Sequence, residues 1–182
     1  MGFGKAFLLS IVAFVGLNFI FTIIYFALGD GFDVLFDNIQ KAPLIILYYL
    51  FGSIVSTPFY IFNVTIVQPF LGYTFVLETF LFWLGFLIAP IIAAILAGRF
   101  GESKIQCFGG WVLTAVISTV SVIIAALLSD ITQGTLLNLP TLAGFLALAD
   151  FDELLIFAIV SCVINVFFYG FFALLVSKIE YY

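Results

Sequence analysis

The chain of 182 residues is 65% hydrophobic and only 8% charged, with a formal net charge of −5. Soluble domains carry about 45–50% apolar and about 25% charged residues, so folding in water would leave much apolar surface exposed. The acidic balance argues against nucleic acid as a partner, because nucleic-acid-binding faces are basic. The sequence contains no histidine, which removes a common metal ligand and the usual general base near neutral pH.

The length of the apolar stretches indicates which kind of membrane fold to expect. Backbone polar groups in lipid have to be paired within the protein, which leaves helices or a closed barrel. Barrel strands alternate apolar and polar residues over about ten positions, whereas residues 8–28 and 79–98 are apolar almost throughout. The sequence therefore predicts an all-α, polytopic transmembrane helix bundle in the lipid bilayer, with residues 1–182 forming one integral membrane domain.

Four stretches are long and apolar enough to cross a hydrocarbon core of about 30 Å as full helical spans. They cover roughly residues 5–29, 75–98, 107–129 and 154–177. The first of them exceeds the length of a signal-peptide core, so we expect it to be a true span.

Residues 43–74 are also apolar, but Pro43, Pro58 and Pro69 interrupt them. They fit either one long kinked span or a Pro-broken hairpin that returns to the side it left. Lys and Arg favour the cytoplasmic side of short loops, and a hairpin places four of the five basic residues on one side: Lys5, Arg99, Lys104 and Lys178. The other side then receives Asp30, Asp33, Asp37, Lys41, Asp130, Asp150, Asp152 and Glu153. We therefore predict the hairpin, with cytoplasmic N- and C-termini.

A second interrupted stretch lies between the last two predicted spans. Its apolar residues around Pro140 are too few to cross a bilayer as a helix. We predict a short re-entrant or interfacial segment near residues 135–149, since irregular backbone at membrane depth is tolerated where protein surrounds it.

Small residues form a stripe on the span at 75–98. Gly85, Ala89, Ala93 and Ala97 recur every four residues, so they share one face of a helix. Such stripes let helix backbones approach closely in membranes. Packing within the chain is the plainer interpretation, and a seam between subunits of a homo-oligomer is the alternative.

The next span carries a second stripe of small and hydroxyl residues. It consists of Gly110, Thr114, Ser118, Ser121, Ala125 and Ser129. The short turn before this span makes the two helices antiparallel, so we expect the two small faces to meet, with the hydroxyls bonded to their own helix. A hydroxyl-lined solute path that includes Ser118 is the alternative.

Four further polar residues are candidates for a polar or transport site. Asn18 and Asn165 lie near the middle of the first and last spans, where an amide needs a partner. Both fit either a structural role or a site for a polar substrate or ion. Tyr169 lies one turn beyond Asn165 on the same face. Glu78, the one carboxyl within a predicted span, is either an interfacial residue or a cation or proton site.

Several aromatic residues fall near the predicted borders of the spans, where interfacial belts lie. We expect these to anchor the bundle in the bilayer: Tyr73, Trp83, Trp111, Tyr181 and Tyr182. Cys107 and Cys162 fall at different depths, so we expect no disulfide between them.

The sequence carries no catalytic set that intramembrane enzymes use, neither Ser/His/Asp nor Cys/His nor paired carboxylates within spans. It therefore predicts no enzyme, no metal site and no cofactor. The leading hypothesis is transport or permeation of an ion or small solute by an oligomer, because transporters build sites from broken helices. The alternative is a non-catalytic structural or scaffold subunit of a larger membrane complex, or a lipid-organising protein.

Overall fold

The structure, a computed structural model, describes residues 2–29, 31–71, 76–131 and 151–177. Every regular element within these residues is helical, which confirms the all-α prediction. The α-helices are α1 (Gly2–Leu28), α2 (Phe32–Lys41), α3 (Ile45–Phe51), α4 (Pro58–Phe62), α5 (Gln68–Phe70), α6 (Leu77–Phe100), α7 (Lys104–Ile131) and α8 (Phe151–Leu175). A 3₁₀ turn, Gly52–Val55, continues α3, and a π-helical stretch, Asn63–Val67, joins α4 to α5.

Four of the described helices, α1, α6, α7 and α8, are long and apolar enough to span a membrane. These are the four full spans predicted from the sequence, and they begin and end within three residues of the predicted bounds. The segment predicted near 135–149 lies outside the described residues.

Close backbone approaches at glycines fix the directions of the spans around α1. A methyl group at Gly85 of α6 would collide with Phe21 of α1, and one at Gly29 would lie 3.2 Å from Cγ of Glu78. Going along α6 from Glu78 to Gly85, the partners descend from Gly29 to Phe21, so α6 runs antiparallel to α1. Gly110 of α7 lies against Ala6 near the start of α1, so α7 runs parallel to α1.

The last helix completes the bundle and places three bases at one end. Gly98, near the end of α6, packs against the backbone of Ala173, near the end of α8. The start of α1, the end of α6, the start of α7 and the end of α8 therefore share one end of the bundle. Lys5, Arg99 and Lys104 lie there, whereas Lys178 falls outside the described residues.

The position of Gly29 beside Glu78 bears on the interrupted segment between them. Because α1 ends where α6 begins, residues 31–71 leave and return at the same end of the bundle. An even number of crossings requires this arrangement, and a single kinked span would separate the two positions by the thickness of the membrane.

The small stripe of α6 is buried inside the chain. Gly85, Ala89, Ala93 and Ala97 are all buried, with the three alanines fully so. We expected this stripe to meet the small face of α7. At the glycines this is wrong, because Gly85 of α6 and Gly110 of α7 both face α1. Three helices pack around one another here, and α1 fills the crevice between the antiparallel neighbours.

The hydroxyls of α7 follow the sequence prediction. Thr114 donates to the carbonyl of Gly110 at 3.0 Å, Ser118 to that of Thr114 at 2.7 Å, and Ser121 to that of Ile117 at 2.8 Å. Each hydroxyl is thus satisfied by its own helix, as is common for Ser and Thr in membrane helices. Cys107 and Cys162 are not joined by a disulfide, and the Cys107 thiol donates to the Gly98 carbonyl at 3.1 Å.

The expectation that Trp83 and Trp111 anchor the bundle at its borders is wrong. Trp83 is 4% exposed and Trp111 is fully buried, so neither ring reaches the lipid headgroups. Both residues lie on the faces of α6 and α7 that point into the bundle. The face of the helix, and not the position along the span, therefore determines where these rings lie. The three tyrosines expected to act with them, Tyr73, Tyr181 and Tyr182, lie outside the described residues.

Candidate functional site

The interrupted segment is broken by its own sequence at Ser56, Thr57 and Pro58. Proline lacks a backbone N–H and disfavours helical backbone in the preceding residue. Ser56 and Thr57 are accordingly extended, with ψ angles of 131° and 147°. Thr57 then caps α4, its Oγ1 accepting a hydrogen bond from the Tyr60 amide at 3.3 Å. The two arms of the segment, Ile45–Val55 and Pro58–Val67, meet at 94°.

A helix that ends inside a bundle leaves carbonyl groups without helical partners. The amide nitrogen of Asn165 donates to two of them, Ile54 O at 2.6 Å and Ser56 O at 3.1 Å. The amide nitrogen of Asn18 donates to Leu50 O at 3.1 Å. The two mid-span amides predicted from the sequence, one on α1 and one on α8, therefore bind the backbone of the same broken segment.

The neighbours of Asn165 form a rigid aromatic support. Trp111 donates its indole N–H to the backbone carbonyl of Asn165 at 3.3 Å. Its ring lies 5.8 Å from the ring of Tyr169, in an edge-on arrangement that is favourable for aromatic pairs. The ring of Phe14 of α1 lies 6.2 Å from that of Trp111, in a tilted arrangement. These contacts tie the last span, α7 and α1 together at the depth of the break.

Several buried side-chain oxygens around the break have no hydrogen-bond partner among the described residues. Ser53 and Ser56 belong to the break itself, Asn18 and Asn165 are bonded to it, and Tyr169 lies one turn beyond Asn165. We refer to these five residues as the polar break. Unpartnered buried polar atoms are rare in folded proteins, and a bound water, a bound ion or a functional role can account for them. The oxygens of the polar break can therefore bind a ligand or water without breaking an existing bond.

The electrostatics of the polar break are those of a neutral, oxygen-rich site. Within the described chain, the charged side chains lie on α2, in the turn at 101–103, or within about one turn of the ends of the spans. The interior therefore offers amide and hydroxyl oxygens and no formal charge. Such oxygens coordinate partly dehydrated cations or accept hydrogen bonds from a neutral solute. They provide nothing that would neutralise an anion.

The returning arm of the segment is also irregular. Residues Asn63–Val67 adopt the wider π-helical form, and the Thr65 hydroxyl donates to the Ile61 carbonyl at 2.7 Å. Single π-helical turns recur at functional sites because they displace side chains from regular positions. Both arms of the segment thus depart from regular α-helix within a few residues of the break.

The structure does not bring every predicted candidate to the polar break. Glu78 lies in the first turn of α6, partly exposed and beside Gly29, at the end of the bundle where the interrupted segment begins and returns. Ser118 is buried on α7 with its hydroxyl bonded to its own helix. Asn18, Asn165 and Tyr169 are associated with the break, whereas Glu78 lies at the end of the bundle.

Sequence reasoning missed Ser53 and Ser56, which contribute two of the oxygens. Their signal was present in the run Ser53 to Pro58, where three hydroxyl residues and a proline fall within six positions of an otherwise apolar segment. Hydroxyls next to a proline break can bind backbone groups that are left without partners at membrane depth.

No protein-family model, curated protein or solved structure matches this chain.

Proposed function

We propose that this chain is a small oligomeric membrane protein for transport or permeation, with the polar break as its selective element. The Pro-broken segment is then a re-entrant hairpin that enters from the end of α1 and returns to the start of α6. The ligand is a small cation or a small neutral solute that donates hydrogen bonds. The cluster of buried, unpartnered oxygens around the break carries this proposal.

The depth of the break supports this function. Asn18 and Asn165, which hold the break, are each more than nine residues from either end of a span. At 1.5 Å per residue they lie about 14 Å or more inside the bundle, close to the middle of a core about 30 Å thick. Transporters place binding sites at this depth and form them from interrupted helices, whose backbone needs side-chain partners.

The alternative, a scaffold or lipid-organising protein, has one specific observation in its favour. The amide nitrogens of Asn18 and Asn165 are both used to hold the backbone of the segment. A purely structural lock would use them in the same way and would need no solute. The two functions differ in what the unpartnered hydroxyls do, because a lock has no use for them.

Replacing Ser53 or Ser56 with alanine separates these functions. Neither hydroxyl has a hydrogen-bond partner in the described chain, so we expect either variant to fold with unchanged or slightly higher stability. Flux of alkali cations or small neutral solutes into proteoliposomes should fall severalfold at equal protein content. The measurement is initial flux with oligomer mass determined in detergent.

Ser121→Ala provides the matched control for this experiment. Ser121 belongs to α7 and not to the interrupted segment, and its hydroxyl is bonded to its own helix. We therefore expect this variant to have the same flux as the unchanged protein. Equal flux in all variants, or no flux above empty liposomes for any cation or neutral solute, would reject transport and leave the scaffold function.

A further inference from the structure

A groove of about 660 Å³ lies between α7 and α8 on the outer surface of the described bundle. Phe167, Phe171 and Leu174 line it from α8, and the exposed fraction of Phe167 is 67%. Along α7 the groove extends from Lys104 to Val112. The eight helical steps from Lys104 to Val112 cover about 12 Å, which is most of one leaflet of a bilayer whose hydrocarbon core is about 30 Å thick.

One end of this groove is basic. Lys104 is the one charged side chain among the residues that line it, and it is exposed as the first residue of α7. Lys5 and Arg99 lie at the same end of the bundle, and Glu102 lies in the turn before Lys104. A cation at the N-terminus of a helix is disfavoured by the helix dipole. An anion bound at Lys104 would be attracted both by the ammonium group and by this end of the helix.

The combination of a long apolar channel with a cation at its interfacial end matches one class of molecule. We propose that the groove binds an anionic phospholipid, with an acyl chain along Phe167 and Phe171 and the phosphate at Lys104. Lysine side chains reach from a span end to the headgroup plane, and basic pockets between membrane helices bind anionic headgroups. This site is separate from the polar break and does not depend on the proposed transport function.

The test compares lipids that share acyl chains and differ in headgroup charge. The full chain in detergent is titrated with phosphatidylglycerol or phosphatidylcholine, and unfolding is followed by the loss of helical circular dichroism. We expect phosphatidylglycerol to raise Tm by several degrees in a concentration-dependent manner, as a ligand of the native state does. Phosphatidylcholine should raise Tm much less. Lys104→Gln should remove the difference between the two lipids.

Two further variants locate the binding to the groove. Val112→Trp fills the deep end of the groove while it keeps Lys104, and we expect it to weaken the effect of phosphatidylglycerol. Lys5→Gln removes a charge at the same end of the bundle from α1, and we expect the effect to remain. An equal loss in Lys5→Gln would show attraction to a basic surface only, and would overturn the proposal.

Other outcomes overturn it as well. Equal shifts with both lipids, or a full shift with inorganic phosphate alone, would show that the acyl groove and the charge do not act together. Native mass spectrometry that finds a second copy of the chain, released by Val112→Trp, would show that the groove is an interface between subunits.

Discussion

Replacing Asn165 with leucine is expected to lower the free energy of unfolding by about 1–3 kcal/mol and to abolish flux. Polar side-chain bonds in membrane proteins contribute about 0.6 kcal/mol on average, but Asn165 satisfies two carbonyls at once, those of Ile54 and Ser56. Leucine has a similar size and offers no donor, so both carbonyls would lose this partner inside the bundle. Thermal unfolding in detergent measures the first effect, and proteoliposome flux the second.

Val163→Leu is the control for this variant. Val163 lies two residues earlier on the same helix, and 51% of it is exposed to the surroundings of the bundle. We expect its substitution to leave both stability and flux unchanged. If Asn165→Leu behaved like Val163→Leu, the interrupted segment would be held by packing alone, and the role assigned to the two amides would be wrong.

Replacing Gly98 with leucine is expected to disrupt the bundle where α6 meets α8. An added Cβ would collide with the backbone carbonyl of Ala173, which cannot turn aside as a flexible side chain can. Overpacking typically costs about 1–3 kcal/mol and occasionally more, and a backbone collision belongs to the costlier cases. We expect a large fall in Tm and in the yield of monodisperse protein in detergent.

Gly16→Leu is the matched control for the glycine variant. Apart from its chain neighbours and the backbone of its own helix, no atom lies within 4 Å of a Cβ added at Gly16 of α1, and leucine has a higher helix propensity than glycine, by about 0.5–1 kcal/mol. We expect Gly16→Leu to leave stability unchanged or slightly raised. Equal losses in the two variants would indicate that α6 and α8 do not approach closely at Gly98.

The spans could be read from the sequence because lipid imposes simple requirements on length and polarity. Runs of apolar residues bounded by charge gave the four long helices within three residues of their ends. The charge distribution led to the prediction of a hairpin with Lys5, Arg99 and Lys104 on one side, and these three bases do lie at one end of the described bundle. The sidedness of that end in the membrane remains a prediction.

Neighbours within the bundle were harder to predict, because hydropathy does not tell which face of a span meets which helix. The stripes containing Gly85 and Gly110 were recognised as close-packing faces, but both approach α1 and not each other. Trp111 was assigned to the membrane border by its position, whereas its indole bonds the backbone of Asn165 in the core. Such contacts depend on the rotation of each helix, which a short apolar stretch does not fix.

The amphipathic helix α2 was not predicted at all. It has only ten residues and carries the two acidic residues Asp33 and Asp37. Its signals were local, with Asp33 in the first turn, where the helix dipole favours an acid, and an ion pair between Asp37 and Lys41 one turn apart. Helices of this length depend on tertiary contacts for stability, so the pattern alone did not reveal it.

The path of residues 31–71 is the central claim, and accessible-thiol labelling tests it most directly. In a background with Cys107→Ser and Cys162→Ser, single cysteines are introduced in place of Asp33, Glu78 and Lys104. Each variant is treated in intact cells with a membrane-impermeant maleimide, with lysed cells as the reference for full labelling. We expect Asp33→Cys and Glu78→Cys to be labelled from outside and Lys104→Cys only after lysis. Labelling of Asp33→Cys and Glu78→Cys from opposite sides would contradict the account, because the interrupted segment would then cross the membrane once.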